Sequence, residues 1–251
     1  MRARMDAITL LRTDHKALEL LFKRFEKAGE HAYAEKRQVV DRIIEELSVH
    51  AAVEEQVFYP VARAAVPGTE DMVLESLEEH HIVKWVLSEL VELDPGHERF
   101  DAKVTVLVEN VRHHVKEEEN EFFPKVRAAL GRKSLAELGD ALATAKKNAP
   151  TRPHPRASDV PPNNALVGAI AGVVDRVGDN ISGLAHGGLT AVQDLVDRIV
   201  NTHTAASTLG TSPLKKARAT TTGRSKASAT KAANGARPKR STATRATNSP
   251  R

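Results

Sequence analysis

Apolar residues in the first 150 positions recur with the period of a helix rather than a strand. Leu10, Leu11, Leu18, Leu21, Phe22 and Phe25 share one face, which predicts a first helix over about 5–28. A second apolar stripe runs over about 33–65 and ends at Pro67-Gly68. A third opens near Thr69, the expected N-cap, and stops at the Asp94-Pro95-Gly96 turn. A fourth spans about 98–130 and closes at Gly131, and Ser134 with Glu137 reads as a capping box for a short fifth helix, 135–147. No strand-like alternation competes. The expected fold of residues 1–148 is all-α, an up-down-up-down four-helix bundle with a short fifth helix. Pro60 and Pro124 fall late in helices two and four and predict a kink in each.

Beyond residue 148 the pattern changes. Residues 149–163 hold Pro150, Pro153, Pro155, Pro161 and Pro162, an extended linker. Residues 164–205 carry two weakly amphipathic pieces separated by glycines. Residues 206–251 are rich in Lys, Arg, Ala and Thr, and from 211 onward hold 11 Lys+Arg and no acid, which predicts a largely disordered basic C-terminal extension. Charge divides the same way. Residues 1–150 hold 22 basic against 28 acidic side chains, net −6, and residues 151–251 hold 15 against 5, net +10. Cysteine is absent, which removes disulfides, thiol nucleophiles and thiolate metal ligands from consideration. The N-terminus reads as helix rather than signal peptide, and the longest apolar run, 165–174, is too short to span a bilayer. A cytoplasmic protein with no transmembrane segment is expected.

The chemistry lies in a phrase that occurs twice, HAAVEEQVFYP at 50–60 and HVKEEENEFFP at 114–124. Each has Glu at +4 from the His, aromatics at +8 and +9, and Pro at +10. Upstream, Asp14-His15 precedes His50 by 35 residues and Glu79-His80 precedes His114 by 34. Residues i and i+4 share a helix face, so each His-x3-Glu aims an imidazole and a carboxylate at one point. One such pair is an ordinary helical contact. Six ligand-type residues recurring in two halves describe a two-metal site, because imidazole binds iron, zinc and copper while a carboxylate can bridge two ions.

These motifs, with LEEHHIV at 77–83, resemble the hemerythrin-like or HHE cation-binding domains over roughly residues 7–130. The resemblance implies a non-haem di-iron centre in a four-helix bundle, its two iron ions joined by an oxo or hydroxo bridge, with zinc or manganese as less favoured metals. His15, His50, His80 and His114 would be terminal ligands, and Glu54 and Glu118 the bridging carboxylates. The repeat spacing favours His80 over His81, and spacing to Glu118 favours His114 over His113; His81 and His113 are then candidates for the outer shell. Oxygen-carrying members have a further His one turn along helix three, where this chain has Lys84. Lys84 is read as a solvated surface lysine, or alternatively as an outer-shell donor. Glu55, Glu117, Glu119 and Glu121 are read as solvated face, and Phe22, Phe25, Phe58, Trp85, Phe122 and Phe123 as core.

The expected function is binding of, or reaction with, O2, H2O2 or NO, and turnover, where present, would be catalase-like or another di-iron oxidoreductase activity. The alternative is a non-enzymatic iron or oxygen sensor or an iron store. Lys215, Lys216, Arg218, Arg224, Lys226, Lys231, Arg237, Lys239 and Arg240 form a run of positive charge suited to non-specific binding of DNA or another polyanion. It lacks stacking aromatics and any base-reading motif.

Overall fold

The computed structural model describes residues 5–157, 194–199 and 201. The chain divides into two units, Met1–Thr211 and Ser212–Arg251, and the second lies wholly outside the described residues. So do residues 158–163, most of the 164–205 segment and every basic tail residue named above.

The described residues are helical, with no strand among them. The order is α1 Ala7–Lys27, α2 Tyr33–Val53, α3 Tyr59–Ala65, α4 Glu70–Glu92, α5 Phe100–Glu117, α6 Phe123–Ala129 and α7 Arg132–Ala145. Two π-helical turns, Glu54–Phe58 and Glu118–Phe122, join α2 to α3 and α5 to α6. Helix two of the bundle is therefore α2 to α3, and helix four is α5 to α6. Helix α1 packs on α2 and α7, and α4 packs on α5 and α2.

Local chemistry explains most of the boundaries. Asp6 caps α1 by accepting from the Thr9 amide at 2.9 Å. Gly68 has φ +75°, the left-handed turn that follows α3. Asp94 accepts from the Gly96 amide at 2.7 Å and closes the loop after α4. Two caps differ from expectation. Thr69 precedes α4, but its hydroxyl turns back to donate to the carbonyls of Ala62 and Val66 at 3.0 and 2.8 Å, pinning the end of α3. The fifth helix begins at Arg132 with Gly131 as an extended N-cap, so Ser134 lies inside α7, buried, and no capping box forms.

The prolines also act earlier in the chain than a simple kink would. Pro60 and Pro124 have no N–H to give, and their rings would crowd the carbonyl four residues back. The backbone widens ahead of them. The amides of Tyr59 and Phe123 donate to the carbonyls of Glu54 and Glu118, five residues away. Both widened turns start at the glutamate of the His-x3-Glu motif.

The apolar core is in two pieces. One holds Leu18, Phe22, Phe25, Val39, Ile43, Leu87, Leu90, Phe100 and Val104. The other holds Ile8, Leu11, Val53, Phe58, Tyr59, Phe122, Phe123, Leu138 and Leu142. Each long helix passes from one to the other through a histidine: His15 between Leu11 and Leu18, His50 between Leu47 and Val53, His80 between Val73 and Val83, and His114 between Val111 and Phe122. Leu195 and Ile199, from the helical residues 194–199, are buried in the second piece beside Ala149. Gly139 lets α7 sit hard against the start of α1, since a Cβ there would lie 2.2 Å from the Met5 carbonyl oxygen.

Candidate metal centre

The polar layer between the two cores contains His15, His50, Glu54, His80, His114 and Glu118, each at most 5% exposed. The imidazoles face each other in pairs. His15 Nε2 lies 3.2 Å from His50 Nε2, and His80 Nε2 lies 3.2 Å from His114 Nε2. Each glutamate reaches both pairs with one oxygen. Glu54 Oε2 is 3.2 Å from His50 Nε2 and 3.4 Å from His80 Nε2. Glu118 Oε2 is 3.4 Å from His15 Nε2 and 3.7 Å from His114 Nε2.

The outward ring nitrogens meet carboxylates. His15 Nδ1 is 2.9 Å from Glu119 Oε1, His80 Nδ1 is 3.1 Å from Glu55 Oε1, and His114 Nδ1 is 2.7 Å from Glu79 Oε2. His50 Nδ1 faces Asp14 Oδ2 at 3.7 Å, just beyond hydrogen-bond reach. An ionised carboxylate only accepts, so it places the imidazole proton on Nδ1 and leaves Nε2 as a bare lone pair. Two bare lone pairs 3.2 Å apart repel unless a cation or proton lies between them. Glu54 Oε1 and Glu118 Oε2 add buried oxygens with no hydrogen-bond partner. The donor set His15, His50, Glu54 and Glu118, and the set Glu54, His80 and His114, each have donor atoms within 4.8 Å of one another. These residues fit two cations held by imidazole and carboxylate.

The electrostatics agree. Burial pushes the Glu54 carboxyl well above the ordinary range, and the neighbouring Glu118, Asp14 and Glu55 push it the same way. Burial opposes ionisation of Glu118 too, but His114, His15 and His50 outweigh it and hold that carboxyl at about 2. Burial and the His114 charge hold His80 well below the usual imidazole value. For His114, burial is outweighed by Glu118, Glu79 and Glu117, and the ring is pushed up. The two neighbouring buried acids are thus driven apart, Glu54 toward its protonated form and Glu118 toward its ionised form.

Residues 6–126 match the sequence profile described as the hemerythrin HHE cation binding domain. This region belongs to the hemerythrin HHE family. A hemerythrin-like protein of Schizosaccharomyces pombe is 26% identical over 168 residues, which are 66% of this chain and 81% of the relative. A Nostoc protein named as a DNA nickase is 25% identical over 142 residues, covering 57% of this chain and only 39% of its own length. The crystal structure of an HHE cation-binding domain protein from Mycobacterium kansasii superposes with a TM-score of 0.50 at 22% identity, covering 57% of this chain and 85% of that one. That likeness concerns the fold.

Several residues of the hemerythrin domain lie elsewhere than expected. Lys84 is not a solvated lysine: it is buried and donates to both oxygens of Glu55 at 3.0 Å. Glu55 is likewise buried, and Glu119 is only partly exposed, because the widened turns bring the residue after each motif glutamate in behind a histidine. His81 and His113 are exposed and point away from the layer; the Trp85 indole donates to His81 Nε2 at 3.0 Å. Trp85 is itself 42% exposed, not core, and Arg156 lies over its ring.

One participant was legible only as an aromatic. Tyr59 is 1% exposed, and its hydroxyl lies 3.1 Å from Glu118 Oε1 and 3.4 Å from both Glu54 Oε2 and His80 Nε2. The signal was there, since the +9 position is Tyr in one copy of the motif and Phe in the other. Among the described residues no helix is long and apolar enough to cross a membrane.

Proposed function

We propose that His15, His50, His80 and His114 hold two iron ions bridged by Glu54 and Glu118, and that the protein binds or reacts with O2, H2O2 or NO. The observation that carries this reading is the pair of Nε2–Nε2 contacts at 3.2 Å with both glutamates reaching across them. Bound iron would supply two-electron redox chemistry toward small oxygen and nitrogen species. The chain supplies the rest. Glu119, Glu55 and Glu79 orient His15, His80 and His114 by hydrogen bonds, as outer partners do at metal sites, and Asp14 faces His50. Phe58, Phe122 and Phe123 wall the layer against water, with Phe123 stacked on His15 at 5.8 Å. The Tyr59 hydroxyl, the one phenol in the layer, can donate to Glu118 or to a small ligand beside it.

Elemental analysis with Mössbauer and optical spectra of protein from iron-replete cells, before and after H2O2, O2 or NO, tests the reading. About two iron atoms per chain and a spectral response to at least one ligand are expected. A single zinc ion per chain defeats it. Sustained peroxide turnover separates an enzyme from a sensor or store.

A second reading concerns residues 206–251, proposed to bind DNA without sequence preference. It is supported by 11 basic and no acidic residues from 211 onward. Kinship with a protein named as a DNA nickase makes DNA the polyanion to try, and relaxation of supercoiled plasmid an assay to include. Binding should weaken steeply with salt and disappear when 206–251 are removed. Equal binding by the shortened chain would refute it.

A further inference from the structure

Three of the four carboxylates behind the imidazoles are backed by a fixed cation. Lys84 lies on Glu55 at 3.0 Å, Lys146 on Asp14 at 2.6 Å, and Arg12 on Glu119 at 3.5 Å. The fourth, Glu79, differs: its ion pairs among the described residues are with His114 and His113 only. Where the other three have Lys or Arg, Glu79 has a second set of ligand atoms. His113 Nε2 lies 3.9 Å from Glu79 Oε1 and 3.3 Å from Glu117 Oε1, and the three donor atoms fall within 4.8 Å of one another. His113 and Glu117 are also a His-x3-Glu pair, displaced by one residue from His114 and Glu118 and so turned by about 100° toward the surface.

We propose that His113, Glu79 and Glu117 form a third, surface site for a divalent first-row cation, which passes inward by way of Glu79. One imidazole and two carboxylates are a borderline donor set suited to ferrous iron, cobalt or zinc, with water completing the shell. Donors on such an ion sit roughly 3.0–3.5 Å apart, so small side-chain rotations bring all three into range. The cation takes the place that Lys84, Lys146 and Arg12 fill behind the other three imidazoles and offsets two carboxylate charges. The Glu79 carboxylate spans the two sites: Oε2 holds His114 Nδ1 at 2.7 Å while Oε1 faces His113. With His113 at 63% side-chain exposure the site opens to solvent. The delivery role, unlike the site itself, rests on the interior residues holding metal.

The test is titration of full-length, iron-loaded protein with Co2+, followed by calorimetry and visible absorption, with interior metal quantified separately. About one Co2+ equivalent beyond the interior metal is expected, and it should be lost in both His113→Ala and Glu117→Gln while iron content stays unchanged. No extra equivalent in the unaltered chain, or one that survives both substitutions, overturns the surface site. If the chain holds no interior metal, the interior reading fails, and the same substitution pair still decides the surface site by Co2+ titration alone. For delivery, Fe2+ uptake by metal-free full-length protein should slow at least fivefold in His113→Ala and reach the same final content. Equal uptake rates overturn the delivery role.

Discussion

Tyr59 and Phe123 occupy the same place after the two widened turns, yet only Tyr59 carries a hydroxyl, which reaches Glu118 Oε1 across 3.1 Å. The hydroxyl ties the first copy of the motif to the carboxylate of the second and makes the two halves of the layer chemically unequal. Phe123 instead stacks flat on His15 with the rings 7° from parallel.

Tyr59→Phe should therefore keep the fold and the metal content while changing the spectrum and ligand reactivity of the iron-loaded protein. The lost hydrogen bond costs about 1 kcal/mol of stability. Spectra and NO or peroxide responses identical to those of the unaltered protein would show that the hydroxyl plays no part in the site.

Glu54→Ala and Glu118→Ala each remove an oxygen that reaches both imidazole pairs. Each should lose more than one metal equivalent, whereas loss of a terminal imidazole should weaken one position more than the other. Elemental analysis of the purified variants decides it, and loss of a single equivalent from both glutamate variants would count against bridging.

The Lys84–Glu55 pair is enclosed on both sides, so removing one partner leaves the other charge buried. Lys84→Met should destabilise the protein by about 3 kcal/mol, read as a drop in denaturation midpoint. Lys84→Met combined with Glu55→Gln should recover much of that loss, because the uncharged amide oxygen can still accept from His80 Nδ1. Additive losses in the double variant would show that the two side chains do not act as a pair.

Metal binding should release protons. In the metal-free protein the Glu54 carboxyl and the His114 ring are both raised, so each retains its proton above its ordinary titration range, and an arriving cation expels it. His80 is lowered, already neutral there, and has none to give. Apparent affinity consequently rises with pH through the region just above the ordinary carboxylate and imidazole values. Calorimetric titration in two buffers of different ionisation enthalpy measures the release, and equal heats in both would contradict it.

Periodicity and punctuation made the helices readable, since Gly68, Asp94-Pro95-Gly96 and Gly131 act through local chemistry that a sequence displays. The duplicated motif singled out His50, Glu54, His114 and Glu118, because i, i+4 spacing is a helix-face property, and the upstream echo of the repeat added His15 and His80. What stayed hidden depends on long-range geometry. Lys84 and Glu55 carry charges that ordinarily mark a surface, and only their meeting across α4 and the first π turn allows both to be buried. The widened turns arise from a proline several residues downstream of their start, a coupling that apolar spacing does not register. Trp85 lay on the predicted helix but on its outer side, where its size alone was misleading.

The charged layer divides what would otherwise be one continuous oil drop into two. A helical bundle ordinarily frays from its tips inward, because its middle is its driest part. Here the middle of all four long helices carries the groups with the greatest thirst for water, and the tips are anchored in apolar packing. Emptied of cations, this molecule has its weakest seam at the waist, and hydration should open it there first, with the two ends still shut.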